Sequence, residues 1–307
     1  MRRKAIIFGI KGTKLTVEEK YLLKTEKPWG IILFSRNIKN LFQLKFLISD
    51  IKKSIKDKNY PILIDQEGGR VSRLNKIIDL SLFSQGYFGK LYKQDKKHFA
   101  DLYEIYVDKI CDILKNIGIN INTIPVLDVR RKNTHNVIGD RSFSEDPTIV
   151  TKMGNLCINL CNRNKIATVI KHIPGHGLSK CDSHYDLPII KAKKTELIKK
   201  DFKPFKMCQS LFAMTAHVIF TNYDSVNAVT HSKVVINNVI RKHIGFKGLL
   251  ISDDISMKAL KYGLKNNAVK ALDAGCNLIL HCNGNIKEMC KLVKIIPTID
   301  KFTQKKT

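Results

Sequence analysis

The densest run of chemically capable residues in this chain is Lys171-His172-Ile173-Pro174-Gly175-His176-Gly177, followed by Asp182-Ser183-His184 and Pro188. Three histidines, Asp182 and Cys181 in so short a span have the ligand types of a zinc site. Pro174 and Gly175 lie between His172 and His176, so this spacing cannot sit on one helical face as paired zinc histidines do. A metal-dependent hydrolase using His172, His176, His184 and Asp253 is one reading. The other is a long glycine-bearing loop that carries Asp182 and His184 over a substrate and closes on it. In such an Asp-x-His pair the carboxylate accepts a proton from one ring nitrogen, fixes the tautomer, and leaves the other nitrogen to exchange a proton with substrate.

Further groups of the right type lie elsewhere. Asp253 ends the apolar run Gly248-Leu249-Leu250-Ile251-Ser252, where a carboxylate can act as a nucleophile; Asp254 beside it is expected to point away, because side chains alternate along a strand. Asp65 opens Asp65-Gln66-Glu67-Gly68-Gly69-Arg70-Val71-Ser72-Arg73, whose two glycines permit a tight turn that returns Arg73 toward the mouth formed by the strand ends. A carboxylate at Asp65 can accept hydrogen bonds from a pair of neighbouring sugar hydroxyls. Gly139-Asp140-Arg141-Ser142-Phe143 adds a second arginine suited to oxygen-rich ligands. Glu67, Arg70 and Asp140 read equally well as loop staples.

These residues need elements to hold them. Short β-branched runs alternate with segments of helical period along the whole chain. The strands expected are Ala5–Ile10, Gly30–Phe34, Pro61–Asp65, Asn120–Val126, Ala167–Lys171, Leu211–His217, Gly248–Asp253 and Asn277–His281. Between them lie amphipathic stretches at Asn40–Lys56, Lys97–Asn116, Asp146–Asn164, Ser232–His243 and Tyr262–Ala274. Nearly all-apolar strands, each followed by a helix, imply a parallel sheet covered by helices, and so many units in this length favour an α/β fold of the closed (β/α)8 TIM-barrel type. Ser35-Arg36, Asp65, Asp128, Lys171-His172, His217 and Asp253-Asp254 follow successive strands. That register is the one expected when side chains distant in sequence converge on the carboxyl end of a barrel. With no composition break, residues 1–296 are expected to form one catalytic domain and residues 297–307 a frayed, basic tail.

Composition narrows the classes. The 307 residues carry 54 Lys plus Arg against 27 Asp plus Glu, a net charge of +27, with 44% hydrophobic residues, which excludes disordered, collagen-like and coiled-coil chains. A field this positive attracts polyanions, but the lysines are dispersed between apolar positions, without a zinc finger, an aromatic RNA-binding strand or a long basic block. A nucleic-acid partner is therefore not expected, and the charge reads as a solvated surface. The eight cysteines have no CxxC pair, which points to free thiols in a reducing compartment. The start, Met1-Arg2-Arg3-Lys4 then Ala5–Ile10, is too short in its apolar run for a signal peptide, and no stretch reaches the ~18 apolar residues of a membrane span. A cytoplasmic monomer without a membrane partner is expected.

Taken in order, the segments at Asp65–Val71, Gly139–Phe143, Lys171–Gly177 with Asp182–His184, Met214-Thr215-Ala216-His217-Val218 and Ser252–Asp254 resemble the motifs of the family-three glycoside hydrolases. Gly30-Ile31-Ile32-Leu33-Phe34-Ser35-Arg36-Asn37 extends the likeness to nearly the whole chain, and within the family it is similar to the single-domain bacterial β-N-acetylhexosaminidases of peptidoglycan recycling. Ile173 stands where that family usually has Phe. The resemblance implies Asp253 as nucleophile, His184 as proton donor and acceptor, and Asp182 as the residue that orients His184. It implies that Asp65, Arg73, Arg141, Lys171 and His172 hold N-acetylglucosamine. It implies no cofactor and no metal, and as substrate a muropeptide bearing 1,6-anhydro-N-acetylmuramic acid.

Overall fold

The computed structural model describes residues 3–132, 134–183 and 185–307. His184, expected as the proton donor, lies outside the described residues. Ten strands run Lys4–Gly9 (β1), Pro28–Leu33 (β2), Ile62–Ile64 (β3), Ile121–Asn122 (β4), Ala167–Ile173 (β5), Ile189–Ile190 (β6), Phe212–Thr215 (β7), Ile219–Phe220 (β8), Leu249–Asp254 (β9) and Leu278–His281 (β10) among the described residues. All but β6 and β8 close a parallel barrel in the order β1-β10-β9-β7-β5-β4-β3-β2, so each expected strand takes a place in a TIM barrel. β6 and β8 pair with each other outside it.

The apolar runs become barrel strands because both faces of a parallel sheet are covered. Ile6, Ile7, Phe8, Ile31, Leu33, Ile62, Ile64, Val169, Ile170, Leu249, Leu250 and Leu278 are all fully buried. The helices follow from period and caps. In Lys96–Ile117 the apolar face Phe99, Tyr103, Val107, Ile110, Leu114 and Ile117 is buried, Asp95 accepts from the Lys97 and His98 N–H groups, and Gly118 (φ 91°) ends the helix with its N–H on the Leu114 and Lys115 carbonyls. Asn40 caps Leu41–Ile55, and Asp146 with Pro147 starts Pro147–Arg163.

Two expectations change. The fourth strand, read as Asn120–Val126, is regular only at Ile121–Asn122, because Pro125 has no N–H for the ladder; the pairing resumes at Val126 against Lys171. Residues 297–307 are docked rather than frayed. The Ala5 N–H donates to the Pro297 carbonyl, the Ile299 N–H donates to the Arg3 carbonyl, and Asp300 caps the helix Lys301–Lys306. The indole N–H of buried Trp29 donates to the Thr307 hydroxyl at 3.3 Å, so this segment covers the amino-terminal end of the barrel, opposite the polar strand ends. No helix among the described residues is long and apolar enough to cross a membrane.

Candidate active site

At the carboxyl ends of the barrel strands lies a cavity of about 220 Å³ lined by Asp65, Arg73, Arg141, Lys171, His172, Asp182 and Asp253. The residues that the resemblance implies for catalysis and sugar binding thus border one space, apart from His184, whose sequence neighbour Ser183 also lines it. Phe34, Thr123, His176, Met214, Met257 and Cys282 fill in the wall.

The floor is a charge network built on β5. Lys171 is buried in the strand, and its ammonium contacts the Asp65 carboxylate, Glu67 Oε1 (2.5 Å) and the Thr123 hydroxyl (3.2 Å). Asp65 Oδ2 also accepts from Arg73 (2.7 Å), and Oδ1 from the Thr123 hydroxyl (2.6 Å). Glu67 binds the Arg141 guanidinium with both oxygens, at 2.7 and 2.8 Å. Burial raises the pKa of each carboxyl, but the neighbouring cations win. Lys171 and Arg73 hold Asp65 well below the usual carboxylate range, and Arg141 and Lys171 lower Glu67. Burial works against the Arg141 guanidinium, yet Glu67 raises its pKa above the ordinary value.

The turn after β3 delivers these groups. Gly68 (φ 94°) and Gly69 (φ 57°) occupy left-handed conformations, and a Cβ on Gly68 would lie 2.2 Å from the Phe83 carbonyl oxygen. Gln66 locks the return, its side-chain oxygen accepting from the Arg73 and Leu74 N–H groups at 2.8 and 3.0 Å. Arg73 crosses the Phe34 ring at 5.4 Å, and its buried Nε has no hydrogen-bond partner among the described residues. Arg70 pairs with Asp140 at 3.0 Å at the cavity edge, the staple that the sequence allowed.

On the other side His172 is held by Asp128. Asp128 Oδ2 lies 2.6 Å from His172 Nδ1, and Oδ1 accepts from the His176 N–H at 2.7 Å. Burial raises the Asp128 pKa, but His172, His176 and the backbone donor bring it below the ordinary value. His176, fully buried and beside His172, is pushed down to about 4 and is therefore neutral at pH 7; its Nε2 lies 3.2 Å from the Ser183 hydroxyl, next to Asp182. Replacing Asp128 with Asn keeps the shape and removes the charge. Asp128→Asn is expected to lower unfolding free energy by about 1.5–3 kcal/mol at neutral pH, measured by urea denaturation. Because the folded-state pKa of Asp128 is depressed, its contribution is present above the unfolded value near ~4 and is lost as pH falls through the folded one, so the deficit shrinks in acid.

Asp253 sits at the end of β9, half-buried, with Oδ1 accepting from the Asp254 N–H at 2.8 Å. Asp254 does not turn wholly away. It also lines the cavity, while its carboxylate accepts from the Ser256 N–H and hydroxyl at 3.0 and 2.8 Å and from the Cys282 N–H at 3.3 Å, which shapes the turn after the strand. His217 lies behind, its pKa lowered by burial, with Nδ1 2.7 Å from the Thr230 hydroxyl and Nε2 3.1 Å from the Asp254 carbonyl oxygen. Among the described residues no group of three or more His, Cys, Asp and Glu is arranged to hold a metal ion. Gln66, Thr123 and the bridging role of Asp128 carry the geometry without having been assigned a task from the sequence; only Asp128, as a polar residue at a strand end, had left a signal.

Chemically the cavity offers fixed carboxylates for hydroxyl donors, three cations for ligand oxygens, and the Asp253 carboxylate at the end of β9. The model of the glycosyl hydrolase family 3 N-terminal domain matches residues 4–305. A β-hexosaminidase of Hydrogenovibrio crunogenus is 33% identical over 283 residues, covering 91% of this chain and 78% of its own. A β-hexosaminidase of Idiomarina loihiensis is 34% identical over 284 residues, 91% of this chain and 83% of its own. Among solved structures, NagZ from Neisseria gonorrhoeae in complex with N-trifluoroacetyl-D-glucosamine superposes with a TM-score of 0.87 at 30% identity, over 100% of this chain and 89% of that one.

Proposed function

From the premise that this chain belongs to glycosyl hydrolase family 3 and is a glycosidase, we propose that it removes terminal β-linked N-acetylglucosamine with retention of configuration. Asp253 attacks the anomeric carbon while His184 protonates the departing oxygen. His184 then takes a proton from water, which hydrolyses the glycosyl ester on Asp253. Asp182 orients the His184 ring. A histidine with an ordinary pKa near ~6.5 serves as donor and then acceptor around neutral pH, without the upward shift that a carboxylic acid in that role requires.

The observation that supports this reading best is the convergence of Asp253, Asp182, Asp65, Arg73, Arg141, Lys171 and His172 on a cavity of about 220 Å³. That volume is below the roughly 300 Å³ at which pockets for larger ligands begin, so it suits a single sugar ring. Asp65 accepts from ring hydroxyls, and the unsatisfied Nε of Arg73 donates to the substrate, ending a desolvation cost of about 1–3 kcal/mol. Arg141 and His172 face the remaining polar groups of the sugar. The proposed substrate is a muropeptide in which the N-acetylglucosamine is attached to 1,6-anhydro-N-acetylmuramic acid, and the proposed setting is peptidoglycan recycling by a monomer in the cytoplasm. The absence of disulfides among the eight cysteines, five of them buried, supports a reducing compartment.

A slow fluorinated N-acetylglucosaminide should leave a covalent adduct on the peptide containing Asp253, detected by mass spectrometry after proteolysis. Turnover without any adduct refutes the covalent route and favours attack by the substrate's own acetamido oxygen.

A further inference from the structure

The end of the barrel opposite the sugar cavity carries a second cavity of different chemistry. Lys45, Lys52, Lys53, Lys56, Lys58 and Lys115 line a space of about 690 Å³. It lies between the carboxyl ends of the helices Leu41–Ile55 and Lys96–Ile117, where the chain turns into β3 and β4, and so at the amino-terminal end of the barrel. The two helix ends account for little of this charge. A helix end carries only about half a negative charge, and the last carbonyls here already accept from the Lys56 and Gly118 N–H groups. Lys52 adds a further bond, its ammonium donating to the Gly118 carbonyl at 2.9 Å. The other lysines exceed what the helix ends need. In sequence they look dispersed, because Lys115 joins the rest only where the two helices end side by side.

Nor do acids neutralise the cluster. Asp57, the acid in the wall, is bound by Arg3, Asp50 by Lys20 at 2.9 Å, and Asp112 reaches Lys115 at 3.0 Å in an exposed pair of little strength. Lys45, Lys53, Lys56 and Lys58 are exposed and in no ion pair among the described residues. Like charges held around one space repel each other, and an anion that enters it removes the repulsion. An ammonium is a point charge with three donors, suited to phosphate oxygens. Several of them around one wall match several phosphates on one molecule better than a lone phosphate. The apolar residues of the wall, Ile48 and Ile117, are buried beneath it and leave little surface for a base or an acyl chain. We infer that this cavity binds a compact polyphosphate, recognised by its linked phosphate groups and not by what they are attached to. The volume lies within the range of small-molecule sites, whereas a nucleic-acid strand needs a continuous track.

The test is titration calorimetry at about 0.15 M salt, where a screening length of about 8 Å damps the field of the whole chain. Inorganic tripolyphosphate is expected to bind about tenfold or more tightly than orthophosphate, and adenosine triphosphate to match tripolyphosphate within about fivefold. Short duplex DNA and phosphatidylglycerol vesicles should fail to displace it. Lys45→Ala with Lys53→Ala, both in a helix interior that alanine favours, is expected to weaken tripolyphosphate binding about tenfold or more. Lys199→Ala with Lys200→Ala removes the same charge from another exposed segment and should change binding by no more than about twofold. Equal weakening by the two pairs would reduce the effect to the general attraction of a chain with net charge +27 and overturn the site. So would an absence of binding, orthophosphate binding as tightly as tripolyphosphate, or displacement by the duplex or the vesicles.

Discussion

Asp253→Ala is expected to lower kcat on nitrophenyl N-acetyl-β-glucosaminide by roughly four to six orders of magnitude, the scale seen when a covalent nucleophile is deleted. In the proposed mechanism this carboxylate forms the glycosyl ester, and the neighbouring acids are engaged elsewhere. Asp254 is adjacent in sequence, but its oxygens are engaged by Ser256 and by the Cys282 N–H, and it leaves the strand in a different direction. Asp65 and Glu67 are tied to Lys171, Arg73 and Arg141 and are held ionised by them, which makes them poor nucleophiles.

Binding should survive this deletion. The residues proposed to hold the sugar lie on β5 and in the loops after β3 and β4, and their mutual bonds described above do not pass through Asp253. Titration calorimetry with N-acetylglucosamine is therefore expected to give a Kd within about threefold of wild type. Added azide should enter the space left by the carboxylate and yield a glycosyl azide of inverted configuration. A variant that loses less than about tenfold in kcat and forms no azide product would show that Asp253 is not the attacking group.

How much of this was legible in the sequence depends on how local the cause is. The eight barrel strands were legible because each is a run of apolar residues buried on both faces, and the fourth is the one shortened most, where Pro125 interrupts the ladder. The docking of residues 297–307 was hidden. Its composition is basic and polar, and what holds it is a backbone bond to Arg3 and a hydroxyl under Trp29, partners that only the closed barrel brings near. In the site, Asp65, Lys171 and Asp253 were legible because a polar residue ending an apolar strand stands out. Glu67 was ambiguous because a loop staple and a buried counter-ion look alike in sequence. Asp128 was visible as a strand-end carboxylate, but its task depends on two N–H groups and a ring in another strand and loop. Gln66 and Thr123 carry no charge and act only through what they fix in place.

The largest stability effect should come from Lys171→Met, which keeps the length of the side chain and removes its charge. Lys171 is 2% exposed, and its ammonium is the point where Asp65 and Glu67 meet. Without it two buried carboxylates face each other, compensated only from their far sides by Arg73 and Arg141. Breaking a buried ion pair by removing one partner costs about 3–5 kcal/mol, and here two acids lose the same cation. In the wild type both carboxyls have folded-state pKa values below the ordinary range, despite burial, so they contribute stability that is present above their unfolded values near ~4 and is lost as pH falls through the folded ones. In the variant, burial and mutual repulsion act with one attraction gone, so the folded values move upward and folding becomes easier as the acids take up protons. The stability gap to wild type, measured by urea denaturation across about pH 5 to 8, should therefore be widest at the alkaline end and narrow toward the acid end. A gap of the same size at every pH would mean that the loss is one of packing alone, and that the ammonium does not hold the two carboxylates ionised.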